Sequence, residues 1–285
     1  MKKTVLLIAL LPLCQYAFAQ ADSLTFAKAR WKKEKLAKGV WLKTTSFNKS
    51  LFNSNQNISM VEVKPGRKNV LDLGYEVQKL RHTSDFGRES GSLAAINGTF
   101  FDVAKGGSVD YIRSDGQVIN ENRLEKNNKR ARHQQAGLLF TNGRLSIAKW
   151  DGSDTWEKNL VADDVMLSGP LLILDDVYQA IDSADFNKLR HPRSLVIVKD
   201  NGRVLLVTVD GRNENAAGMS MFELARISKW LDADDAINLD GGGSTTLWVA
   251  GQPGNGVVNY PTDNKKWDHE GERKVANVIL LRQKP

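Results

Sequence analysis

Residues 194–210 carry the clearest strand signal in the chain, SLVIVKDNGRVLLVTVD. Two nearly continuous apolar runs, at 195–198 and 204–207, flank the dipeptide Asn201-Gly202. Asn-Gly is typical of two-residue hairpin turns, because these turns need positive φ values. Apolar runs without alternating polar residues are typical of strands buried on both faces. The stretch therefore predicts an antiparallel hairpin that is buried on both faces.

Similar signals along the chain predict further strands and one clear helix. Asp115-Gly116 and Asn142-Gly143 lie between apolar or β-branched segments and predict two more hairpins. The apolar run 275–281 predicts a C-terminal strand inserted into the main sheet. Ser220 and Glu223 have the spacing of a capping box, and apolar residues then recur at helical intervals, which predicts a helix ending near 232–235.

Length and composition favour one domain. The chain has 285 residues, of which 41% are hydrophobic and 26% are charged, as is ordinary for a soluble globular protein. The sequence shows no repeat and no Pro/Ser-rich linker. We therefore expect an α+β (mixed α and β) fold: a single domain with an extensive mixed or antiparallel sheet and a few packed helices.

The first nineteen residues have the pattern of a bacterial secretory signal peptide. Lys2-Lys3 precedes an apolar run at 5–13, and Ala17-Phe18-Ala19 places small residues where a signal peptidase reads. We expect cleavage there and a periplasmic or secreted location. Cleavage would remove two lysines from a formal net charge of +7, and also Cys14, the only cysteine. A mature chain without cysteine excludes disulfides, thiolate zinc sites and a cysteine nucleophile. The large Leu13 before that cysteine disfavours a lipoprotein.

Glycine combines with polar residues at the ends of four predicted strands, where functional residues tend to gather. The strongest of these stretches is Asp240-Gly241-Gly242-Gly243, which follows an apolar strand. Glycines let the backbone adopt unusual φ values or approach a ligand, and successive amides can hold an anion. The stretch has neither the Lys-Ser/Thr of a P-loop nor a dinucleotide fingerprint. The other stretches are 96–102, 168–170, and 209–212 together with 218–220.

Taken together, these motifs resemble the phosphodiester glycosidase family. They occur in the family's order from residue 97 to 281: Asn97-Gly98-Thr99-Phe100-Phe101, Ser168-Gly169-Pro170, Pro192-Arg193-Ser194, Asp210-Gly211-Arg212, Gly218-Met219-Ser220 with Glu223-Leu224, Asn238-Leu239-Asp240-Gly241-Gly242-Gly243-Ser244, and 273–278. The resemblance implies hydrolysis of a sugar that is joined through its anomeric carbon to a phosphodiester, with release of free sugar and a phosphomonoester. We expect an exported glycosidase with three parts: signal peptide 1–19, N-terminal leader and first strand 20–57, and phosphodiester glycosidase-like domain 58–285.

Such a reaction needs positive charge at the phosphate and a carboxylate near the anomeric carbon. Arg193 and Arg212 stand beside predicted strand ends, and we expect at least one of them to bind the phosphate. The expected catalytic residues are Asp240, Asp210 and Glu223, although Glu223 could equally do no more than complete the capping box with Ser220. The expected substrate-binding residues are Asn97, Thr99, Arg193, Arg212, Asn238, Gly241, Gly242, Gly243 and Ser244.

Metal ions and cofactors have little support in the sequence. The four histidines show no metal-ligand spacing, and His133, in a basic polar segment, is the one best placed to reach a substrate. No cofactor is identified. Whether the protein binds a divalent cation is left open, and no EF-hand spacing supports such a site.

Other functional classes rank below the glycosidase. The main alternative is a noncatalytic carbohydrate- or cell-envelope-binding protein that uses the same pocket for recognition. A nucleic-acid binder ranks third, because no basic and aromatic motif accompanies the positive charge. No segment approaches the roughly 20 apolar residues of a membrane-spanning helix, and the oligomeric state stays open.

Overall fold

Three antiparallel sheets and five helices make up the part of the chain that is described, residues 20–284 of a computed structural model. The helices are α1 (20–27), α2 (Thr83–Glu89), α3 (Trp156–Asn159), α4 (Asp185–Lys188) and α5 (Met221–Trp230). The strands are β1 (Lys32–Ala37), β2 (Val40–Leu51), β3 (Ser54–Val63), β4 (Asn69–Tyr75), β5 (Ala94–Asn97), β6 (Ile112–Ser114), β7 (Gln117–Asn120), β8 (Ala136–Thr141), β9 (Arg144–Lys149), β10 (Asp164–Ser168), β11 (Leu171–Leu174), β12 (Val177–Tyr178), β13 (Arg193–Val198), β14 (Val204–Val209), β15 (Asp235–Asn238), β16 (Leu247–Val249) and β17 (Asn277–Gln283).

The hairpin predicted at 194–210 forms the middle of the largest sheet. This eight-stranded sheet has the order β1-β2-β3-β14-β13-β15-β11-β12. Leu195 and Leu205 face a core that includes α5, whereas Val196 and Leu206 face a second core shared with the two smaller sheets. Burial on both faces is therefore confirmed. Each fully buried Leu or Val side chain contributes about 1.5–3 kcal/mol.

The turn of this hairpin is one residue longer than a two-residue turn. The amide of Lys199 donates to the carbonyl of Arg203, and the amide of Gly202 donates to the carbonyl of Lys199. Gly202 has a φ of +72°. This is the pattern of a three-residue loop that ends in a left-handed glycine. By contrast, positive φ values at both residues of Asp115-Gly116 and Asn142-Gly143 confirm the two-residue turns there.

The two smaller sheets cover the face opposite α5. One has the order β7-β6-β10-β8-β9, and the other has the order β16-β5-β17-β4. The C-terminal run forms β17, a buried central strand, but it lies in the four-stranded sheet, so its predicted insertion into the main sheet is wrong. Apolar patterning predicts burial of a strand, but the neighbours it pairs with are set by distant segments.

The fold class agrees with the sequence prediction, and the N-terminal residues take part in the main sheet. The α+β prediction with a largely antiparallel sheet and packed helices is confirmed. Residues 20–57 contribute α1, β1, β2 and the start of β3, and β1 and β2 pair within the eight-stranded sheet. The predicted signal peptide lies outside the described residues. Between residues 20 and 284, no helix has the length and apolar character needed to cross a membrane.

Candidate active site

The ends of β5, β13 and β15 meet around the buried side chain of Asn97. Its Oδ1 accepts hydrogen bonds from Ser194 Oγ at 2.6 Å and from the amide of Thr246 at 3.1 Å. Its Nδ2 donates to the carbonyl of Asp240 at 2.7 Å. Because one fully buried amide joins three segments, the chain that follows β15 is held at a fixed place on the sheet edge.

Asp240 is the half-buried carboxyl group at the centre of this edge. Its amide donates to the carbonyl of Gly98, and its Oδ1 accepts from the amide of Gly241 at 2.9 Å. Burial raises the pKa of Asp240 to about 6, while Ser244, the Gly241 amide and the charge of Arg273 act in the opposite direction. The carboxyl group is therefore able to exchange a proton near neutral pH.

The glycine stretch after Asp240 leaves room for two guanidinium groups. Gly242 has a φ of +63°, and a Cβ there would lie 3.0 Å from Arg212 Nη1. A Cβ at Gly243 would lie 2.7 Å from Arg273 Nη2. The amides of Gly241 and Gly242 are used within the protein, since the latter donates to the carbonyl of Pro192. The glycines thus bring two cations against the turn beside Asp240.

The two arginines differ in their neighbours. Arg212 is exposed, and its Nη2 lies 3.3 Å from Nδ1 of His191. Burial and the charges of Arg193 and Arg212 lower the pKa of His191, which favours a neutral ring beside the guanidinium. Arg273 donates from Nε to Asp263 Oδ1 at 2.9 Å. Both guanidinium groups keep further donors for an anionic ligand.

A second polar network lies beside the 97–100 segment. Nδ1 of His133 is 2.7 Å from Oδ1 of Asp110, which is fully buried. Thr99 Oγ1 donates to Asp110 Oδ2 at 2.7 Å, and Gln134 Nε2 donates to Oδ1 at 3.1 Å. The His133 ring stacks on Phe100 with 4.3 Å between the ring centroids. The charge of Asp110 also raises the pKa of Asp240, so the two networks share one electrostatic environment.

Asp210, a predicted catalytic residue, is fully enclosed by protein donors. It is 1% exposed, and its oxygens accept from Asn57 Nδ2 at 2.6 Å, Asn259 Nδ2 at 2.9 Å and the amide of Tyr260 at 2.9 Å. Burial raises the pKa of Asp210, and these hydrogen bonds oppose the rise. Asn259 also donates to the carbonyl of Thr245, so Asp210 braces the segment after the glycines.

Glu223 lies in the first turn of α5 and completes the capping box. Its Oε2 accepts from the amide of Ser220 at 2.9 Å, and its amide donates to Ser220 Oγ at 3.2 Å. Arg190 Nε donates to both carboxylate oxygens at 3.0 Å. The capping prediction is therefore confirmed, and the described contacts of this carboxylate are all structural.

Arg193 and Asn238 are also engaged with backbone carbonyls. Arg193 is 1% exposed and donates to the carbonyls of Met219, Phe186 and Leu189. Burial, with the charge of Arg212, lowers the pKa of Arg193 to about 10. Asn238 donates from Nδ2 to the carbonyl of Gly169 at 2.8 Å, which fixes the 168–170 segment.

The predicted residues thus separate into two groups. Asp240, Arg212 and the glycines gather at one edge with Ser244. The other predicted residues hold the surrounding segments: Asn97, Thr99, Asp210, Glu223, Arg193 and Asn238. Sequence reasoning missed Arg273 and Asp110. Arg273 lies in a motif stretch that was noted, 273–278, and Asp110 follows the glycine pair 106–107, a signal of the kind used elsewhere in the chain. Among residues 20–284, no three acidic or histidine side chains converge as metal ligands.

Comparison with known proteins identifies the family. The profile of the family described as "Phosphodiester glycosidase" matches residues 90–282, which include Asp240, its glycines, Arg212, Arg273, Asp110 and His133. N-acetylglucosamine-1-phosphodiester alpha-N-acetylglucosaminidase of Mus musculus is 26% identical over 219 residues, or 72% of this chain and 41% of that protein. The Bos taurus protein of the same name is 28% identical over 209 residues, or 69% of this chain and 38% of that protein. The chain therefore spans about two fifths of the length of these relatives.

A solved structure shows the same fold. The zebrafish N-acetylglucosamine-1-phosphodiester alpha-N-acetylglucosaminidase catalytic domain, auto-inhibited by its pro-peptide, superposes with a TM-score of 0.65 at 18% identity. The match covers 90% of this chain and 88% of the zebrafish domain. The family match extends over more than half of the chain and confirms the predicted family: the chain belongs to the phosphodiester glycosidase family.

Proposed function

We propose that this chain hydrolyses a sugar-1-phosphodiester to a free sugar and a phosphomonoester. The observation that carries the proposal is the placement of two guanidinium groups, of Arg212 and Arg273, against the glycine turn beside the carboxyl group of Asp240. A phosphodiester glycoside presents one anionic phosphate next to one anomeric carbon. The arrangement of two cations and one carboxylate matches that pair of groups.

In this proposal Arg212 and Arg273 bind the phosphate oxygens. A guanidinium group offers parallel N–H donors that fit two oxygens of a phosphate, and the charge stabilises the phosphomonoester as it leaves. Arg193 supports them indirectly, because it fixes three carbonyls in two neighbouring segments, Phe186 and Leu189 in one and Met219 in the other. Of the two arginines expected to bind the phosphate, Arg193 and Arg212, the proposal gives that role to Arg212.

Asp240 acts at the sugar. Glycosidic bonds break through a transition state with positive charge on the anomeric carbon, and an ionised carboxylate stabilises that charge. A phosphate ester is a weak base, so the leaving oxygen has little need of a strong general acid. Asp240 therefore works in its ionised form. Ser244 tunes this carboxyl group, and Asn97 holds its backbone.

The other predicted residues position these groups in the proposal. Asp210 braces the segment from Thr245 to Tyr260, and Glu223 fixes the start of α5. Asn238 holds the 168–170 segment, and Thr99 orients Asp110. We propose that the protein is exported to the periplasm or the medium, on the pattern of residues 1–19, and acts there on a small-molecule or glycan phosphodiester.

The test is release of free sugar from a panel of sugar-1-phosphodiesters that varies the sugar, the anomer and the alcohol. Matching glycosides without phosphate serve as negative substrates. We expect turnover of at least one phosphodiester and none of the phosphate-free glycosides. Binding of phosphodiesters without sugar release would contradict the proposal and support the alternative, a noncatalytic carbohydrate-binding protein.

A further inference from the structure

His133 is held by a buried carboxylate in a way that leaves one ring nitrogen free. Thr99 and Gln134 already donate to Asp110, and a carboxylate only accepts hydrogen bonds. Nδ1 of His133, at 2.7 Å from Asp110 Oδ1, is therefore the donor of the third hydrogen bond. The neutral ring then carries its proton on Nδ1, and Nε2 is a free base.

The ring is also fixed in orientation. It stacks on Phe100 with an interplanar angle of 30°, and Phe100 in turn packs against Phe186 with 6.2 Å between centroids. The His133 side chain is 22% exposed, while the Asp110 side chain is fully buried. Within the described part of the chain, no side chain or carbonyl forms a hydrogen bond with His133 Nε2. The free nitrogen is thus available to a ligand or a water molecule.

The 97–100 segment links this ring to Asp240. Phe100 contacts His133, and two residues earlier the carbonyl of Gly98 accepts the amide of Asp240. Thr99, between them, donates to Asp110. One short, buried segment therefore sets the position of the imidazole relative to the carboxylate that the proposed reaction uses.

We propose that His133 is the general base of this site and that Asp110 is the residue that positions it. The inference rests on the proposed function. Water attacks the anomeric carbon, and its proton passes to His133 Nε2 as the new carbon–oxygen bond forms. The bond from the anomeric carbon to the phosphate oxygen breaks, and its electron pair stays on the phosphomonoester. The proton then leaves Nε2 for solvent, which returns the ring to its neutral form.

The kinetic test compares His133→Ala with His82→Ala. His82 is a matched control, since its Nδ1 also faces a carboxylate, Asp85 Oδ2 at 3.5 Å, but it is the N-cap residue of α2 and is not one of the site residues described above. On a phosphodiester that the wild type hydrolyses, we expect His133→Ala to lower kcat by about 100-fold or more with KM changed little. We expect His82→Ala to keep the wild-type rate, and added imidazole to restore part of the lost kcat in His133→Ala. Sugar release by His133→Ala within threefold of wild type would overturn this inference and leave the proposed function standing.

A second readout does not depend on turnover. Nitrogen chemical shifts of the His133 ring, assigned by its loss in His133→Ala, report which nitrogen carries the proton. We expect the Nδ1–H tautomer in the wild type and a mixture of tautomers in Asp110→Asn. A proton fixed on Nε2 in the wild type would overturn the inference. Lack of sugar release from every phosphodiester by the wild type would instead contradict the proposed function on which it rests.

Discussion

The guanidinium group of Arg273 occupies the space that a side chain at residue 243 would need. A Cβ built on Gly243 would lie 2.7 Å from Arg273 Nη2 and 2.5 Å from Asp263 Oδ1. Contacts of this kind are far inside van der Waals distance, so glycine is required for Arg273 to lie beside the Asp240 turn. The pairing of an arginine with a glycine explains why the turn is built from consecutive glycines.

Gly243→Ala should therefore reduce activity more than it reduces stability. The displaced atoms are the ends of the Asp263 and Arg273 side chains, which can move aside, but Arg273 would then leave its place beside the turn. We expect kcat/KM on a sugar-1-phosphodiester to fall by at least tenfold with the midpoint of thermal unfolding nearly unchanged. Gly66→Ala is the control, because a Cβ there meets nothing within 4 Å. Equal activity of the two variants would remove Arg273 from the phosphate site.

Arg212 and Arg193 should respond differently to replacement by lysine. Arg212→Lys loses the two parallel donors that fit a phosphate, so we expect kcat/KM to fall by about 10- to 100-fold with stability kept. The exposed Arg144→Lys should leave kcat/KM unchanged. Parallel steady-state assays and urea unfolding measure both effects.

Arg193→Lys should instead reduce stability, because three backbone carbonyls lose their guanidinium donors. We expect the free energy of unfolding to fall by about 2–4 kcal/mol. A stable Arg193→Lys protein with weakened phosphate binding would reverse the assignment of the two arginines.

The pH dependence of activity should follow Asp240. Because its pKa is raised to about 6 and the ionised form is the active one, kcat/KM should rise through a midpoint near pH 6. Ser244 lowers this pKa, so Ser244→Ala should move the midpoint to higher pH. A pH profile of each protein on one substrate provides the measurement, and a midpoint that stays in place in Ser244→Ala would contradict the assignment.

Ionisation of Asp240 should affect stability in the opposite direction to activity: the ionised form is the active one, and it is also the one that destabilises the fold. The carboxyl group of Asp240 binds a proton more strongly in the folded protein than in the unfolded chain, because its pKa is raised by folding. Burial of this group therefore does not destabilise the protein below its ordinary pKa of 3.8, and it lowers the free energy of unfolding by the full amount above about pH 6. We expect Asp240→Asn to be more stable than wild type at pH 7.5, by up to about 3 kcal/mol. The difference should vanish near pH 4. Urea unfolding at the two pH values measures it, and lower stability of Asp240→Asn at pH 7.5 would contradict the burial of the charge.

Local chemistry made part of this structure predictable. The hairpin at 194–210, the Asn142-Gly143 turn and the capping box of α5 all depend on residues close in sequence, and each is present. The strands that pair with β17 could not be predicted in the same way, because the sequence of a buried strand does not indicate which sheet it joins.

The site shows the same division between local and distant signals. Asp240 and its glycines are one short motif, and their placement at a strand end follows from the apolar run before them. The role of Arg193 depends on carbonyls of Phe186, Leu189 and Met219, and the pair of Asp110 and His133 joins two separate segments. Contacts between such distant segments arise from the chain topology, which no local sequence pattern encodes.

The most direct test of the proposed function is sugar release by the wild type and by Asp240→Asn on one sugar-1-phosphodiester. The exposed Asp200→Asn, in the loop between β13 and β14, serves as the matched control. We expect wild type and Asp200→Asn to release free sugar and phosphomonoester at equal rates, and a folded Asp240→Asn to retain less than about 1% of that rate. Full activity in folded Asp240→Asn would contradict the central role of this carboxylate.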